Sequence, residues 1–214
     1  MHLSPNQVID DLQLANELFV SGQSQHYINR GSRVLITSVH GHSHERNGFI
    51  KGADEGTFVF SYLLAKYLNA NWAAVGRELL PDSNFYLETE FKQMVRGEIT
   101  GKNLLCVDIH ACHAFRAFDM EIGTAYRKES SKDIGLMNYL NSKGYYCVLN
   151  EIFKARGDGS SQTMTDFFHT LGVNAIQLEI SSCYLTGDTR LEWHQRIKLL
   201  HFLINAITDY YQDS

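Results

Sequence analysis

The stretch VLITSV (residues 34–39) runs directly into HGHSHE (residues 40–45) and is the clearest indication of the fold of this chain. Its mostly β-branched and apolar residues predict a strand that is buried on both faces. A second stretch of the same kind, LLCVDI (residues 104–109), ends at His110. Each of these two predicted strands therefore carries histidine at its carboxyl end.

Helical patterns separate the strand-like stretches along the rest of the chain. Apolar spacing predicts a leading helix after Pro5 and further helices over residues 57–68, 84–95, 131–142, 163–171 and 191–211. Further strands are predicted over residues 72–75, 145–149 and 175–180, with a short one from residue 118. This alternation predicts an α/β three-layer sandwich, in which helices cover both faces of a mixed, mostly parallel central sheet. Because no Pro/Gly/Ser-rich linker interrupts the chain, we expect residues 1–214 to form a single domain.

Charge and cysteine content narrow the functional class. The formal net charge of -5, with 19 Lys and Arg against 24 Asp and Glu, argues against a nucleic-acid partner. No apolar run approaches the roughly 20 residues of a membrane span, and the first residues lack the basic start and apolar core of an export signal. The 4 cysteines are scattered without a CxxC pair, which fits a reducing compartment. We therefore expect a cytoplasmic protein that binds neither nucleic acid nor membrane.

Histidines mark the place where chemistry is expected. Of the 10 histidines, three lie in the loop HGHSHE beside Glu45, and His110 ends the other buried strand. Ligands of open α/β sheets bind beyond the carboxyl ends of the strands, so these groups are expected to meet at one rim. Two or three imidazoles with a carboxylate are the donor set of a catalytic zinc site, whereas a polar surface loop is the alternative for the histidine-rich segment alone. Asp108 shares a strand face with His110 and is expected to orient its ring.

Two further kinds of side chain are expected at this rim. Glu179 lies inside the apolar stretch AIQLEI (residues 175–180), where a buried carboxylate is suited to act as general base. A salt bridge to an arginine is its structural alternative. Arg77, Arg116 and Arg156 each follow a predicted strand, and any of them could bind a substrate carboxylate through a bidentate fork. For each of these arginines, a solvated surface position is the alternative.

Four segments in this order resemble the N-formylglutamate amidohydrolase family: VHGHSHERNGFIKGADEGT (residues 39–57), PDSN (81–84), LLCVDIHACHAFRAFDMEIGT (104–124) and AIQLEIS (175–181). The HGHSHE loop is also similar to the metal-binding loop of poly-γ-glutamate hydrolases, where a glutamate follows the histidine of a His-Gly pair by five residues. The resemblance implies a carboxypeptidase-like fold with a mixed sheet of about eight strands. It also implies zinc (Zn2+) held by His40, Glu45 and His110, with Glu179 as the catalytic carboxylate.

The sequence also departs from the family pattern. Val39 stands where family members usually have proline, and the additional His42 or His44 could take the place of Glu45 as a ligand. Four residues that fall in the matching motifs are candidates to line the pocket: Arg46, Asp54, Asn84 and Arg116.

The first functional hypothesis is a zinc-dependent amidohydrolase that cleaves an amide bond in a small carboxylate-bearing substrate, such as N-formylglutamate or another N-acyl amino acid. Glu179 would take a proton from the attacking water, and an arginine such as Arg116 would help to polarise the carbonyl group. One alternative is a carboxypeptidase-like metallopeptidase that acts on γ-glutamyl peptides, which a longer groove would favour. The other is a non-catalytic metal-binding protein, although simple metal storage does not need a base on a separate strand.

Overall fold

The structure is a computed structural model that describes residues 5–99, 104–187 and 189–212. Helices and strands alternate through most of this chain, as the sequence pattern predicts. In chain order, the elements are α1 (Pro5–Val20), β1 (Gln25–Ile28), β2 (Val34–Ser38), β3 (His44–Arg46), β4 (Phe49–Lys51), α2 (Thr57–Leu68), β5 (Asn71–Val75), β6 (Leu80–Pro81), α3 (Glu90–Glu98), β7 (Leu105–Cys112), β8 (Met120–Gly123), α4 (Ser131–Ser142), β9 (Cys147–Leu149), α5 (Met164–Thr170), β10 (Asn174–Ser181), a 3₁₀ turn (Ser182–Tyr184) and α6 (Arg190–Gln212).

The central sheet has seven strands in the order β1-β5-β2-β7-β10-β8-β9. Strands β5, β2, β7 and β10 pair in parallel, as do β8 and β9, whereas β1 pairs antiparallel with β5 and β8 antiparallel with β10. The predicted α/β sandwich with a mixed, mostly parallel sheet is confirmed. The described sheet has seven strands where the resemblance implies about eight, and a separate three-stranded sheet has the order β4-β3-β6.

Helices cover both faces of the central sheet. Residues of α1, α2, α4 and α6 form one core with the side chains of Ile36, Val107 and Ile176. Residues of α3 and α5 form the other core with Leu35 and Cys106, each adjacent in sequence to a residue of the first core. Side chains alternate along a strand, so Asp108 and His110, which follow Cys106 on β7 at steps of two, lie on the face that α3 and α5 cover.

Helix α6 is the longest of the described helices, with 23 residues. Its buried residues Leu199, Leu203 and Ile207 recur at a spacing of four and pack into the core, while Asp209 faces out. Among residues 5–99, 104–187 and 189–212, no helix combines the length and the apolar composition that crossing a membrane requires.

Two local differences from the predicted elements lie near the rim of the sheet. The helix predicted from residue 84 begins at Glu90, because Phe85 and Tyr86 instead donate backbone hydrogen bonds to the carbonyl of Asp82 in a turn. Thr89 caps the helix by accepting a hydrogen bond from the Lys92 amide. The second difference is in the histidine-rich loop, which includes the short antiparallel pair β3–β4.

Candidate metal centre and active site

A network of polar side chains lies near the carboxyl ends of β7 and β10. The parallel register pairs Asp108 with Gln177 and His110 with Glu179, so all four side chains lie on one face of the sheet. Thr37 of β2 pairs with Asp108 and donates its hydroxyl to Asp108 Oδ1 (2.6 Å). All of these residues are buried. Adjacent strands therefore present two carboxylates, an imidazole and an amide to one another.

The segments after β2 bring His40 and Asp54 to this network. Gly41 follows His40 and packs so closely on Phe58 of α2 that a Cβ atom at this position would overlap the phenylalanine side chain. The backbone N–H of Asp54 donates to the carbonyl of His40 (2.7 Å), and the Thr57 hydroxyl donates to the carbonyl of Asp54 (2.7 Å). Asp54 is thus fixed just before α2, with its carboxylate at the rim of the sheet.

Three donor atoms converge here. His110 Nδ1 lies 3.0 Å and His40 Nδ1 lies 3.3 Å from Asp54 Oδ2, and each of the three residues offers a ligand atom that lies within 4.8 Å of the other two. Ligand atoms of a tetrahedral zinc site, each about 2.0–2.1 Å from the metal, are separated by roughly 3.3 Å. The spacing and chemistry of this His40–Asp54–His110 cluster therefore fit a zinc ion.

The other ring nitrogens of both histidines are held by carboxylates. His110 Nε2 lies 2.8 Å from Asp108 Oδ2, and His40 Nε2 lies 2.8 Å from Asp82 Oδ1. A metal-binding histidine usually donates its second N–H to a carboxylate in this way, which leaves the lone pair of its first nitrogen for the metal. The contacts with Asp108 and Asp82 thus orient both Nδ1 atoms toward Asp54.

The cluster favours positive charge at the two imidazoles. Burial alone would lower the pKa of His110, but the charge of Asp108 and hydrogen bonds with Asp108 and Asp54 raise it well above its ordinary value. The pKa of His40 is raised in the same way, because hydrogen bonds with Asp54 and Asp82 outweigh burial. Burial would raise the pKa of Asp54, but its bonds with His110 and His40 hold it well below the usual range. A proton or a divalent cation would satisfy this demand for positive charge.

A second cluster of similar composition joins His40, His44 and Asp82. His44 Nε2 lies 3.4 Å from Asp82 Oδ2, and the rings of His40 and His44 stack with centroids 4.0 Å apart. The same Asp82 oxygen accepts a hydrogen bond from Arg46 Nε (2.6 Å), and the guanidinium forms an ion pair with this carboxylate. Because Arg46 already supplies the positive charge, this second cluster is the weaker candidate for a metal.

A cavity of about 600 Å³ opens onto the His40–Asp54–His110 cluster. It is also lined by Glu179 and Gln177, by residues 152–155, and by Arg46, Asn84 and Arg156, so the prediction that Arg46 and Asn84 line the pocket agrees with the structure. Glu179 is 6% exposed, and burial raises its pKa to about 7 although nearby His110 opposes the shift. A carboxylate with a pKa near neutrality, placed beside a metal-type cluster, is suited to accept and return a proton.

Glu45 is the predicted ligand that the structure does not bring to this cluster. Successive residues of a strand point to opposite sides, and on β3 it is His44 that lies buried beside His40. The Glu45 carboxylate instead accepts hydrogen bonds from the Tyr86 hydroxyl (3.0 Å) and from the backbone N–H of Gly48. It belongs to neither of the two metal-type clusters in the described part of the chain.

The predicted arginines lie in three different places. Arg156 lines the cavity at the metal-type cluster, whereas Arg77 lines a separate one. Arg116 is exposed and stacks over the ring of Phe153, with its guanidinium carbon 5.2 Å from the centroid. The structure therefore brings Arg156, and neither of the other two, to the rim of the sheet.

The sequence does not identify two residues of the site as ligands or partners. It predicts Asp54 only as a residue that lines the pocket, and it indicates no role for Asp82. Asp54 lies in the motif segment GADEGT and Asp82 in PDSN, so the family resemblance does indicate that carboxylates occur in these two loops. Their positions depend on the path of two loops, which no local pattern predicts.

Comparisons with known proteins identify relatives by fold. No family model and no curated protein matches this sequence. A bacteriophage poly-γ-glutamate hydrolase is similar in structure, with a TM-score of 0.57 and 15% identity over 90% of this chain and 92% of that chain. An N-formylglutamate amidohydrolase from Ralstonia eutropha has a TM-score of 0.56 and 11% identity over 89% and 98% of the two chains. A metallo-carboxypeptidase from Burkholderia cenocepacia has a TM-score of 0.54 and 10% identity over 99% and 70%. The chain thus shares the carboxypeptidase-like fold that the motif resemblance implies.

Proposed function

We propose that this chain is a zinc-dependent hydrolase that cleaves an amide bond in a small carboxylate-bearing substrate, such as N-formylglutamate or another N-acyl amino acid. The observation that carries this proposal is the His40–Asp54–His110 cluster beside the buried Glu179 carboxylate in one cavity. The names of the structural neighbours, among them an amidohydrolase and a metallo-carboxypeptidase, support a hydrolase. The buried free thiols of Cys106, Cys112 and Cys147 support a reducing compartment such as the cytoplasm.

His40, Asp54 and His110 would hold the zinc ion through Nδ1, Oδ2 and Nδ1. The sequence-based prediction of Glu45 as the third ligand remains the alternative, and the distances around Asp54 favour Asp54. When bound, zinc supplies a Lewis acid that polarises the substrate carbonyl and makes water more acidic.

Glu179 would serve as the general base and then as the general acid. Its carboxylate accepts a proton from the attacking water while the water oxygen bonds to the carbonyl carbon. It then delivers the proton to the amide nitrogen as the carbon–nitrogen bond breaks, which yields a carboxylic acid and a free amine. A pKa of about 7 suits both steps near neutral pH.

Arg156 would bind the substrate carboxylate. Its Nε donates to the carbonyl of Ala125 (2.6 Å), and its guanidinium lies over the ring of Tyr126, 5.3 Å from the centroid. No carboxylate of the described residues forms an ion pair with it, although it lines the cavity. The outer nitrogens of this held guanidinium are therefore suited to a bidentate contact with an acid. The exposed Arg116, which the sequence also suggests for a role at the substrate, lies outside this lining.

A γ-glutamyl peptide is the second candidate substrate. A cavity of about 790 Å³ adjoins the first and shares Ser161 with it. A substrate longer than one amino acid could extend across Ser161 from one cavity into the other. This shared lining residue is the observation that supports a γ-glutamyl chain as the second candidate substrate.

The decisive experiment combines metal analysis with a substrate screen. We expect about one zinc per purified chain, lost in Asp54→Ala and retained in Glu45→Ala. The loaded protein should hydrolyse N-formyl-L-glutamate, N-acetyl-L-glutamate or γ-glutamyl oligomers, and the preferred length distinguishes the two candidate substrates. Zinc binding without hydrolysis of any of these compounds would support the non-catalytic alternative, and loss of zinc from Glu45→Ala alone would restore Glu45 as the ligand.

A further inference from the structure

The side chain of Gln177 is the immediate neighbour of the proposed base. Gln177 and Glu179 share one face of β10, and Gln177 Nε2 donates a hydrogen bond to Glu179 Oε1 (2.7 Å). Both side chains are buried at the floor of the cavity. In the described part of the chain, this is the one hydrogen bond that Glu179 makes with another residue.

The surroundings of Glu179 leave its orientation to this contact. No lysine or arginine of the described residues forms an ion pair with Glu179. On the neighbouring strands, the His110 side chain bonds with Asp108 and Asp54, and Glu121 accepts hydrogen bonds from the backbone N–H groups of Ile152 and Phe153. The charged partners around Glu179 are thus bonded to other groups, and the amide of Gln177 holds the carboxylate.

The free end of the amide adds a second observation. Gln177 Oε1 is buried and has no hydrogen-bond partner among the described residues. Leaving a buried acceptor unpaired costs stability, so such an atom calls for an explanation. Rotation about the last side-chain bond would exchange Oε1 and Nε2. An ionised Glu179 accepts from Nε2, whereas a protonated Glu179 could donate to Oε1, so one amide can hold the carboxyl group before and after it takes a proton.

We infer that Gln177 is a positioning residue, which holds the Glu179 carboxyl group beside the His40–Asp54–His110 cluster in both of its protonation states. The inference rests on the proposed function in so far as Glu179 acts as the base there. Gln177 itself touches no reacting atom. Its contribution is to keep the base in one orientation through the proton transfer.

The test compares the full chain with Gln177→Met, which keeps the side-chain length and removes both polar ends. Ser181→Ala is the matched control, because Ser181 lies on the same strand and face beyond Glu179, and its hydroxyl lies 3.2 Å from Cys183 Sγ. NMR of ¹³C-labelled glutamate carboxyl groups in the metal-free protein follows Glu179, whose signal is identified by its loss in Glu179→Gln. The charged groups that face Glu179 are the same in all of these proteins: His110 and Asp108 on β7, Glu121 on β8, and His40 and Asp54 in the loops.

We expect Glu179 in Gln177→Met to titrate about one pH unit higher than in the unmodified chain, a tenfold change, because a donor to the charged form is lost. Gln177→Glu should raise the midpoint further, since it places a second carboxylate there, and it serves as the measurement if Gln177→Met does not fold. Ser181→Ala should titrate like the unmodified chain. In the zinc-loaded protein, Gln177→Met should lower kcat about tenfold and leave KM and zinc content unchanged.

An unchanged Glu179 midpoint in Gln177→Met would overturn the inference, whatever the activity. Equal shifts in Gln177→Met and Ser181→Ala would also overturn it, because they would reflect a general disturbance of β10. A shift confined to the Gln177 variants supports the inference even if the unmodified chain hydrolyses no substrate, in which case the proposed function fails and the positioning contact stands.

Discussion

The two ring nitrogens of His40 face two clusters that contain the same kinds of residue. On the cavity side, Nδ1 meets Asp54 and His110, and on the interior side, Nε2 meets Asp82 with His44 next to it. The interior cluster is completed by Arg46, whose guanidinium pairs with Asp82. The cavity cluster includes no lysine or arginine, and it faces the 600 Å³ cavity that Glu179 lines. The two clusters offer the same number of candidate ligands. They differ because Arg46 neutralises the carboxylate of Asp82, whereas no lysine or arginine of the described residues belongs to the cluster around Asp54.

The largest expected effect is a change in bound metal, which should follow from substitutions on the cavity side of His40 and not from those on the interior side. His110→Ala removes a ligand on the cavity side, and we expect complete loss of the bound zinc, measured by elemental analysis of purified protein. His44→Ala removes a residue of the interior cluster and should retain the metal. His113→Ala, at an exposed residue three positions after His110, is a further control that should retain it. Metal loss from His44→Ala with retention in His110→Ala would place the metal on the interior side.

The sequence predicts residues near the carboxyl ends of buried strands better than residues that lie far along a loop. Asp108, His110 and Glu179 lie near the carboxyl ends of β7 and β10, and His40 follows the end of β2 by two residues. The rule that parallel strands end at the same rim is enough to expect them near one another. The register of β7 and β10, which pairs His110 with Glu179, is consistent with that prediction.

The loop residues of the site have no such constraint. Asp54 lies beside His110 because its backbone N–H donates to the carbonyl of His40 and because it comes just before α2. Neither of these two features has a signature in the sequence. Glu45 has the spacing of a ligand, but it lies in a short strand whose alternation presents His44 to the interior instead. The spacing of residues in a loop therefore predicts which residue types occur near the site better than it predicts which side chain points into it.

The second prediction tests whether the cavity side is catalytic. Glu179→Gln keeps the shape of the side chain and removes the base, so we expect turnover to fall about a hundred- to ten-thousand-fold while zinc stays bound. The rate of the zinc-loaded enzyme should fall on the acidic side, because protonation removes the base. Burial raises the pKa of Glu179 to about 7, and a bound divalent cation opposes this shift, so we expect the midpoint of the fall to lie below pH 7. Steady-state kinetics across pH measures both. Unchanged turnover in Glu179→Gln would make Glu179 structural, and release of zinc would make it a ligand.

The third prediction concerns the substrate end of the cavity. Arg156→Met should lower kcat/KM about ten- to a hundredfold for carboxylate substrates, since hydrogen bonds to a charged group contribute about 1.5–3 kcal/mol. The same variant should act normally on a substrate whose carboxylate is replaced by a neutral amide. Arg116→Met is the matched control, because that arginine is exposed outside the cavity. A loss of activity in Arg116→Met that depends on the substrate carboxylate would transfer the role to Arg116.

The smallest effect should appear on the interior side, as stability and not as metal content. Lys92 is fully buried, and its Nζ donates to the carbonyls of Tyr86 (2.6 Å) and Gln162 (2.7 Å). Tyr86 belongs to the turn that begins at Asp82, so Lys92 links the segment next to the interior cluster to Gln162, which lines the second cavity of about 790 Å³. Lys92→Met leaves two carbonyl groups without this donor, and we expect the free energy of unfolding to fall by about 2 kcal/mol, with zinc content unchanged.

Lys66→Met is the matched control for this change. Lys66 pairs with Asp11 where its side chain is 31% exposed, so its loss should cost less than about 1 kcal/mol. Chemical denaturation of the three proteins, read together with zinc analysis, makes the comparison. If Lys92→Met lost its zinc at full stability, the interior side would be part of the metal site. Equal stability losses in the two lysine variants would remove the special role of the buried contacts, because a solvent-screened ion pair would then contribute as much as the two buried hydrogen bonds of Lys92.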